Sequence, residues 1–413
     1  MTQITVIGSF RLWLYLYDGR VASLQSNTPV VVRSWRILAG LSLPGFLLAM
    51  PGGLLPVWGY HIRPAYALAS LYFLALGAGL GAGAWAALRL RKNYGLPKLL
   101  IGGGLCTAVA LLMLAFSPPP APLWYQCLCM LVSGAAAAAI NTAVFGLVEK
   151  AWDQNPARVT LTGGAFFSAG SAAAAWVLSE CLDSGNTTQL LSVTALLPCA
   201  TALAWARLPL GSVSRAEPAP AAPAKDLRTV LAFLFALLLF FQFACEWSIA
   251  GWLPVYLVDR MSMSPAGAVR LLCLYWIALM LGRVAAVALL PHLKHARMLA
   301  FSAFCAAFGN TALFGSGTRV GVVVGILFVG AGFSVIYPLA AERIAARFSS
   351  YHAGHFNGVF TFALLGGVMA PFLLANSAAL WGLGVMPWVE IAGSCSVIAM
   401  IILLWLGWKV SGS

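Results

Sequence analysis

Glu246 stands alone between two uncharged runs, Val230–Cys245 and Trp247–Val258, within the stretch FACEWSIAGWLPVY (Phe243–Tyr256). A carboxyl group at that place is expensive, since a charge at the centre of a bilayer costs about 2.5–3.5 kcal/mol or more. Burial disfavours its charged form, so the group can hold a proton at neutral pH and release it when water arrives. Proton exchange is therefore the chemistry this position could perform. The plainer alternative is a protonated or arginine-paired glutamate that ties helices together, with Arg270 and Arg283 as candidate partners. Gln242 precedes Glu246 by four residues and shares its face if the stretch is helical.

A second set of residues could hold a polar solute. The amides of Asn141, Gln242 and Asn357 can bind hydroxyls, and Trp58, Trp247, Trp252, Tyr275, Trp276 and Tyr337 can cover C–H surfaces. Each aromatic taken singly also fits packing or an interfacial belt. Arg283 follows Gly282 near the end of an apolar run, where it is either a gate or a side chain snorkelling to the interface. Glu342 and Arg343 end another such run and are assigned to the same inner gating network, while Glu390 is read as interfacial. His352 and His355 are spaced i, i+3 with no thiolate nearby, which suits solvated loop residues better than a metal site. No HExxH, P-loop or GxSxG pattern occurs. Neither enzyme activity, metal nor cofactor is expected.

The elements that must position these residues follow from composition. Of 413 residues 61% are hydrophobic and 8% charged, with mean hydropathy +0.90, against about 25% charged in soluble domains. So little charge cannot cover a water-facing surface, and the solvent for most of the chain must be lipid. Twelve stretches reach the roughly 20 residues that a spanning helix needs: 36–60, 65–88, 97–117, 121–148, 159–180, 187–207, 228–257, 265–291, 297–315, 319–342, 355–380 and 386–408. The alternating pattern of barrel strands is absent. An all-α membrane protein of twelve transmembrane helices is expected.

The net charge of +13 does not indicate nucleic acid. Of the 24 Lys and Arg residues, three fall in loops on one side (Arg63, Arg260, Arg319) and two within a span (Arg270, Arg283). The other nineteen fall on the opposite side with both termini. That asymmetry follows the positive-inside rule and places both termini in the cytoplasm, in the cell (inner) membrane. The cysteines lack zinc-like pairing and are read as packing residues. Residues 1–33 form an N-terminal cytoplasmic tail, expected to be disordered or surface-lying.

The stretch GSVSRAEPAPAAPAKDLRT (Gly211–Thr229) is charged and rich in Pro and Ala, as an extended solvated linker would be. It divides the chain into a first six-helix bundle, residues 34–210, a cytoplasmic linker, 211–227, and a second bundle, 228–413. The halves are related. GGLLPV (Gly52–Val57) recurs as AGWLPV (Ala250–Val255) at an offset of 198, and LASLYFLAL (Leu68–Leu76) recurs as LLCLYWIAL (Leu271–Leu279) at 203. Gly79 and Gly282 share the second offset. Two parallel repeats of this kind build major facilitator transporters.

Several motifs carry a resemblance to that superfamily, and within it to the fucose/glucose-type sugar porters: RKNYGLPKLLIGGGL (Arg91–Leu105), INTAVFGLVE (Ile140–Glu149), CEWSIAGWLPVYLVD (Cys245–Asp259), LGRVA (Leu281–Ala285) and GFSVIYPLAAERIAARF (Gly332–Phe348). The superfamily's Gly-x-x-x-Asp-Arg-x-Gly loop is eroded here, with Lys92 in the place of Asp and Leu88 in the place of the first Gly. Span one also lacks the acid of the fucose symporters, and Glu149 is the only acid of span four. The resemblance implies two pseudo-symmetric bundles and alternating access, with a small polar solute, most simply a sugar, bound near the midplane. Its residues would be Trp58, Asn141, Gln242, Trp247, Trp252, Tyr275, Tyr337 and Asn357, with Glu246 as the proton-coupling group and Arg283, Glu342 and Arg343 as gates. A proton or other ion, the lipid bilayer and a monomeric state complete the expectation. The rival readings are an efflux carrier for amphipathic compounds and a non-transporting membrane sensor.

Overall fold

The computed structural model describes residues 34–149, 155–207, 230–347 and 359–410. Within them twelve helices are long and apolar enough to cross a membrane: α1 (Trp35–Val57), α2 (Tyr66–Tyr94), α3 (Leu96–Ala115), α4 (Leu123–Leu147), α5 (Pro156–Ser184), α6 (Thr187–Arg207), α7 (Val230–Met261), α8 (Pro265–Leu289), α9 (His295–Gly315), α10 (Arg319–Ala346), α11 (Val359–Trp381) and α12 (Leu383–Leu406). Each matches an apolar stretch expected from the sequence, with ends moved by at most six residues. No strand occurs among the described residues. The tail, the linker, Asn357, His352 and His355 lie outside them. The side of the bundle where α6 ends and α7 begins is here the near face, and the opposite side is the far face.

Local sequence sets the helix ends. Asn155 caps α5 by accepting from the Arg158 amide at 3.0 Å, with Pro156 at the first helical position. Ser264 and Thr318 cap α8 and α10 in the same way. Such caps satisfy amides that the helix leaves unpaired. In α10 the α-helix is interrupted at Ser334–Val335. Pro338 follows four residues after Ser334 and has no amide to offer its carbonyl, which accounts for a break at that turn.

Helices in lipid associate through close packing of small residues, and here the packing repeats. A Cβ on Gly79 of α2 would strike the backbone of α4 at Leu131, and one on Gly282 of α8 would strike α10 at Ser334. The reverse contacts correspond too: Gly134 of α4 lies against Leu76 of α2, and Gly330 of α10 against Tyr275 and Ala278 of α8. The two halves thus fold as one pattern used twice. Gly52 of α1 touches the carbonyl of Ala250 on α7, which is its own counterpart at the offset of 198. A residue in contact with its counterpart lies on the axis that relates the halves. Pro56 and Pro254 lie a few residues beyond it, towards the far ends of α1 and α7.

Burial separates inner from outer helices. The most apolar window of α1 is 83% buried, whereas those of α6 and α12 are 28% buried. The exposed side chains are large and apolar, including Trp85, Trp124, Trp176, Trp381, Trp388 and Trp405. A surface of that kind is stable only against lipid, and several of these rings sit at helix ends, as interfacial aromatics do.

The far face is closed. Gly251 lies under the ring of Phe73, and Trp252 packs on Phe73 and Tyr66 with ring centroids 5.6 and 5.8 Å apart. Its indole N–H donates to the Pro371 carbonyl at 3.0 Å. Arg270 of α8 pairs with Asp183 of α5 and lies 3.7 Å from Glu180. Arg270 is thus a far-face clasp between the halves, not a partner of Glu246. Both members of the Arg270–Asp183 pair are 45% exposed, where ion pairs contribute little. Asp183→Asn is therefore expected to cost less than about 1 kcal/mol, read as a small change in thermal unfolding. A larger loss would show that the clasp, rather than the apolar packing, holds this face shut.

Candidate functional site

Glu246 is the seventeenth of the 32 residues of α7, near its middle. It is 4% exposed, and Arg283 on α8 is 5% exposed. The Glu246 carboxylate accepts from Gln242 Nε2 at 2.6 Å, one turn earlier on the same helix. The Arg283 guanidinium stands 3.8 Å away and donates to two groups of α5, the Gly164 carbonyl and Ser168 Oγ, both at 2.7 Å. Arg283 therefore reaches across the interface between the halves. Gly164 makes this possible, because a Cβ there would sit 3.0 Å from the Arg283 side chain. Gln242 Oε1 and Arg283 Nε have no hydrogen-bond partner.

This pair forms one wall of a cavity of about 130 Å³, room for roughly four waters. Of the residues singled out in the sequence, Asn141, Trp247 and Tyr337 line it. Thr160, Phe145, Phe167 and Phe243 also line it and were not singled out. The first three belong to α4 and α5, whose small-residue runs hid them as packing. Phe243, three residues before Glu246, could have been found from helical spacing alone.

The walls obey the repeat. Leu48 and Glu246 correspond at offset 198, and Leu80 and Arg283 at 203. Asn141 and Tyr337 correspond at 196, the offset that relates Gly134 to Gly330. All six line the cavity. One half thus presents two leucines where the other presents an ion pair.

The remaining expected residues lie elsewhere. Trp58 packs edge-on against Tyr72 at 4.7 Å. Trp252 belongs to the far-face closure. Tyr275 is fully buried behind the wall, its hydroxyl without a hydrogen-bond partner. Glu342 pairs with His295 at 2.9 Å, and Arg343 borders a second cavity on the near face, so neither adjoins Arg283. Glu390 is a correction. Expected at the interface, it is fully buried, with neither carboxyl oxygen in a hydrogen bond. Its backbone carbonyl meets Cys245 and Asn310, which places it between α7, α9 and α12. The sequence misled because position near a helix end was taken for depth in the membrane, whereas α12 inserts its first turns against α7. The cavity extends from mid-helix level, at Leu48, Leu80 and Glu246, towards the near face. Asn141, Thr160, Arg283 and Leu364 are each within about two turns of the near ends of their helices, because the far face is packed shut.

The family model described as the Major Facilitator Superfamily matches residues 37–371. The chain belongs to that superfamily, and it is a multi-pass integral membrane transporter, not an enzyme. Among solved structures it is similar to the fucose:proton symporter FucP of E. coli, with TM-score 0.62 and 17% identity over 91% of this chain and 99% of that one. It is also similar to the proton:xylose symporter XylE bound to 6-bromo-6-deoxy-D-glucose, with TM-score 0.68 and 9% identity over 91% of this chain and 96% of that one. At such identities the likeness extends to the fold. A comparison with curated protein sequences finds no match.

Proposed function

We propose that this transporter moves a small polar solute, most simply a sugar, coupled to protons that load and unload at Glu246. The observation that carries this reading is the asymmetry of the cavity. Leu48 and Leu80 hold the corresponding positions without a charge, which supports a role for the Glu246–Arg283 pair beyond the fold. A buried ion pair is a poor stabiliser compared with well-packed apolar residues, and its place beside a cavity between the halves favours a functional role. The named activities of FucP and XylE support the solute class.

Arg283 is shared between the Glu246 carboxylate and the α5 acceptors Gly164 and Ser168. When the halves part at the near face, Arg283 loses the α5 acceptors and its charge is left to Glu246. In this reading the proton leaves Glu246 when the halves part there. Rejoining returns Arg283 to α5 and lets Glu246 take up a proton. Asn141 and Tyr337, counterparts on the two halves, supply an amide and a hydroxyl to the solute, and Trp247 supplies a face.

The second reading, an amphipathic solute, is favoured by the largely apolar walls: Leu41, Pro44, Leu48, Leu80 and Leu364 join the phenylalanines. One experiment separates the two. Purified protein in liposomes with an inward acid gradient is offered a panel of labelled monosaccharides and of lipophilic cations. Gradient-dependent accumulation of a sugar supports the first reading. Movement of the cations alone supports the second.

The near face is assigned to the cytoplasm by the excess of Lys and Arg on that side. A cysteine at Ser214, in a background without native cysteines, is expected to resist impermeant thiol reagents in intact cells and to react after permeabilisation. Ready labelling of intact cells would invert the orientation.

A further inference from the structure

A second cavity, of about 370 Å³, opens at the near face between α7, α9, α10 and α12, away from the solute cavity. Its two ends differ in chemistry. At the rim stand Arg297, from the first turn of α9, and Arg343, from the last turns of α10, both exposed. His295, also at the rim, opens α9 and is held by Glu342 at 2.9 Å. The start of α9 adds a helix N-terminus, which favours anions through its free amides and dipole. Below the rim the surface is apolar. Leu404 is buried, while Ile402 and Trp405 of α12 are 49% and 53% exposed on the surface that meets lipid.

The geometry points to a binding site for an anionic phospholipid: the phosphate between Arg297 and Arg343, and an acyl chain along Ile402, Leu404 and Trp405. A soluble anion would use the rim and leave the apolar groove open to lipid in any case. An uncharged lipid would use the groove and gain nothing from two arginines. Only a ligand with both parts matches the chemistry of both ends. The depth agrees, since Trp405 lies near the end of α12, where interfacial indoles sit, and Arg297 and Arg343 lie near the ends of their own helices on the same side. Basic pockets between helices on a cytoplasmic side bind such lipids. The inference concerns the C-terminal half alone and does not depend on the identity of the solute.

The test uses the purified full-length protein in a neutral detergent. Dioleoyl phosphatidylglycerol, dioleoyl phosphatidylcholine and inorganic phosphate are titrated separately, with thermal unfolding and native mass spectrometry as readouts. Phosphatidylglycerol is expected to raise the unfolding midpoint saturably, as a ligand of the folded state does, and to remain bound in the mass spectrum. The other two additions are expected to do neither. Arg297→Ala/Arg343→Ala is expected to lose most of the phosphatidylglycerol shift while keeping its midpoint in phosphatidylcholine. Arg297→Gln alone, milder for folding, is expected to weaken the apparent affinity at least severalfold. An equal shift in wild type and double variant would overturn the site. So would an equal response to phosphatidylcholine, and inorganic phosphate reproducing the shift would reassign the rim to a free anion.

Discussion

Glu246→Gln is expected to abolish accumulation of solute driven by a pH gradient while leaving solute binding, and exchange of solute for solute, largely intact. Glutamine keeps the length of the side chain and can still accept from Gln242 Nε2, which stands 2.6 Å from the carboxylate. What it cannot do is exchange a proton or answer the charge of Arg283. The result separates three roles. A purely structural Glu246 would leave gradient-driven accumulation normal in the variant, and that outcome would sink the coupling reading. A Glu246 that grips the solute directly would weaken binding itself, visible as a lost thermal shift with the solute. The measurement is uptake into liposomes with and without an imposed gradient, alongside counterflow.

Arg283→Leu is expected to be strongly destabilising. It removes the Arg283 bonds to Gly164 and Ser168 and leaves Glu246 without its counter-ion, a loss of up to about 3–5 kcal/mol where the carboxyl stays ionised and less where it takes up a proton. The double variant Glu246→Leu/Arg283→Leu is expected to recover most of that loss. It installs on the C-terminal wall the two residues, Leu48 and Leu80, that the N-terminal wall already carries, and replacing a buried pair by packed apolar residues is often neutral or better. It should fold well and fail to couple. Thermal unfolding of the two single variants and the double closes the cycle. Losses that simply add would show that Glu246 and Arg283 do not act as a unit.

The twelve helices were legible because lipid imposes one rule, an apolar run of sufficient length, and the sequence obeys it without interruption. The repeat was legible at Gly52/Ala250 and Gly79/Gly282, where close approach of backbones restricts the side chain. Asn141, Gln242, Glu246, Trp247, Arg283 and Tyr337 were singled out because polar and amphipathic groups are conspicuous in such a chain. Their arrangement was not. Arg270 and Arg283 lie on one helix, and nothing local says that the first meets Asp183 at the far face while the second meets Glu246. Trp252 and Trp58 are as aromatic as Trp247 yet pack in the closure and against Tyr72, because which face of α7 or α1 meets the cavity depends on tilt and crossing. Glu390 was misplaced for the same reason: the sequence gives order along a helix, whereas depth depends on how its neighbours cross it. Gly164 and Ser168 were invisible as partners, since a carbonyl carries no mark in a sequence.

The far-face seal has an electrical side. In this state packed protein at Gly52, Trp252 and the Arg270–Asp183 clasp insulates the far half of the membrane, while the cavity holding Glu246 lies towards the near face. Most of a transmembrane voltage then falls across the seal. If the seal forms at the near face in the opposite state, the voltage drop moves with it. A proton resting on Glu246 would then pass from one side of the field to the other while scarcely changing place, at about 2.3 kcal/mol per 100 mV. The carrier would draw work from membrane potential by moving its insulation rather than its charge.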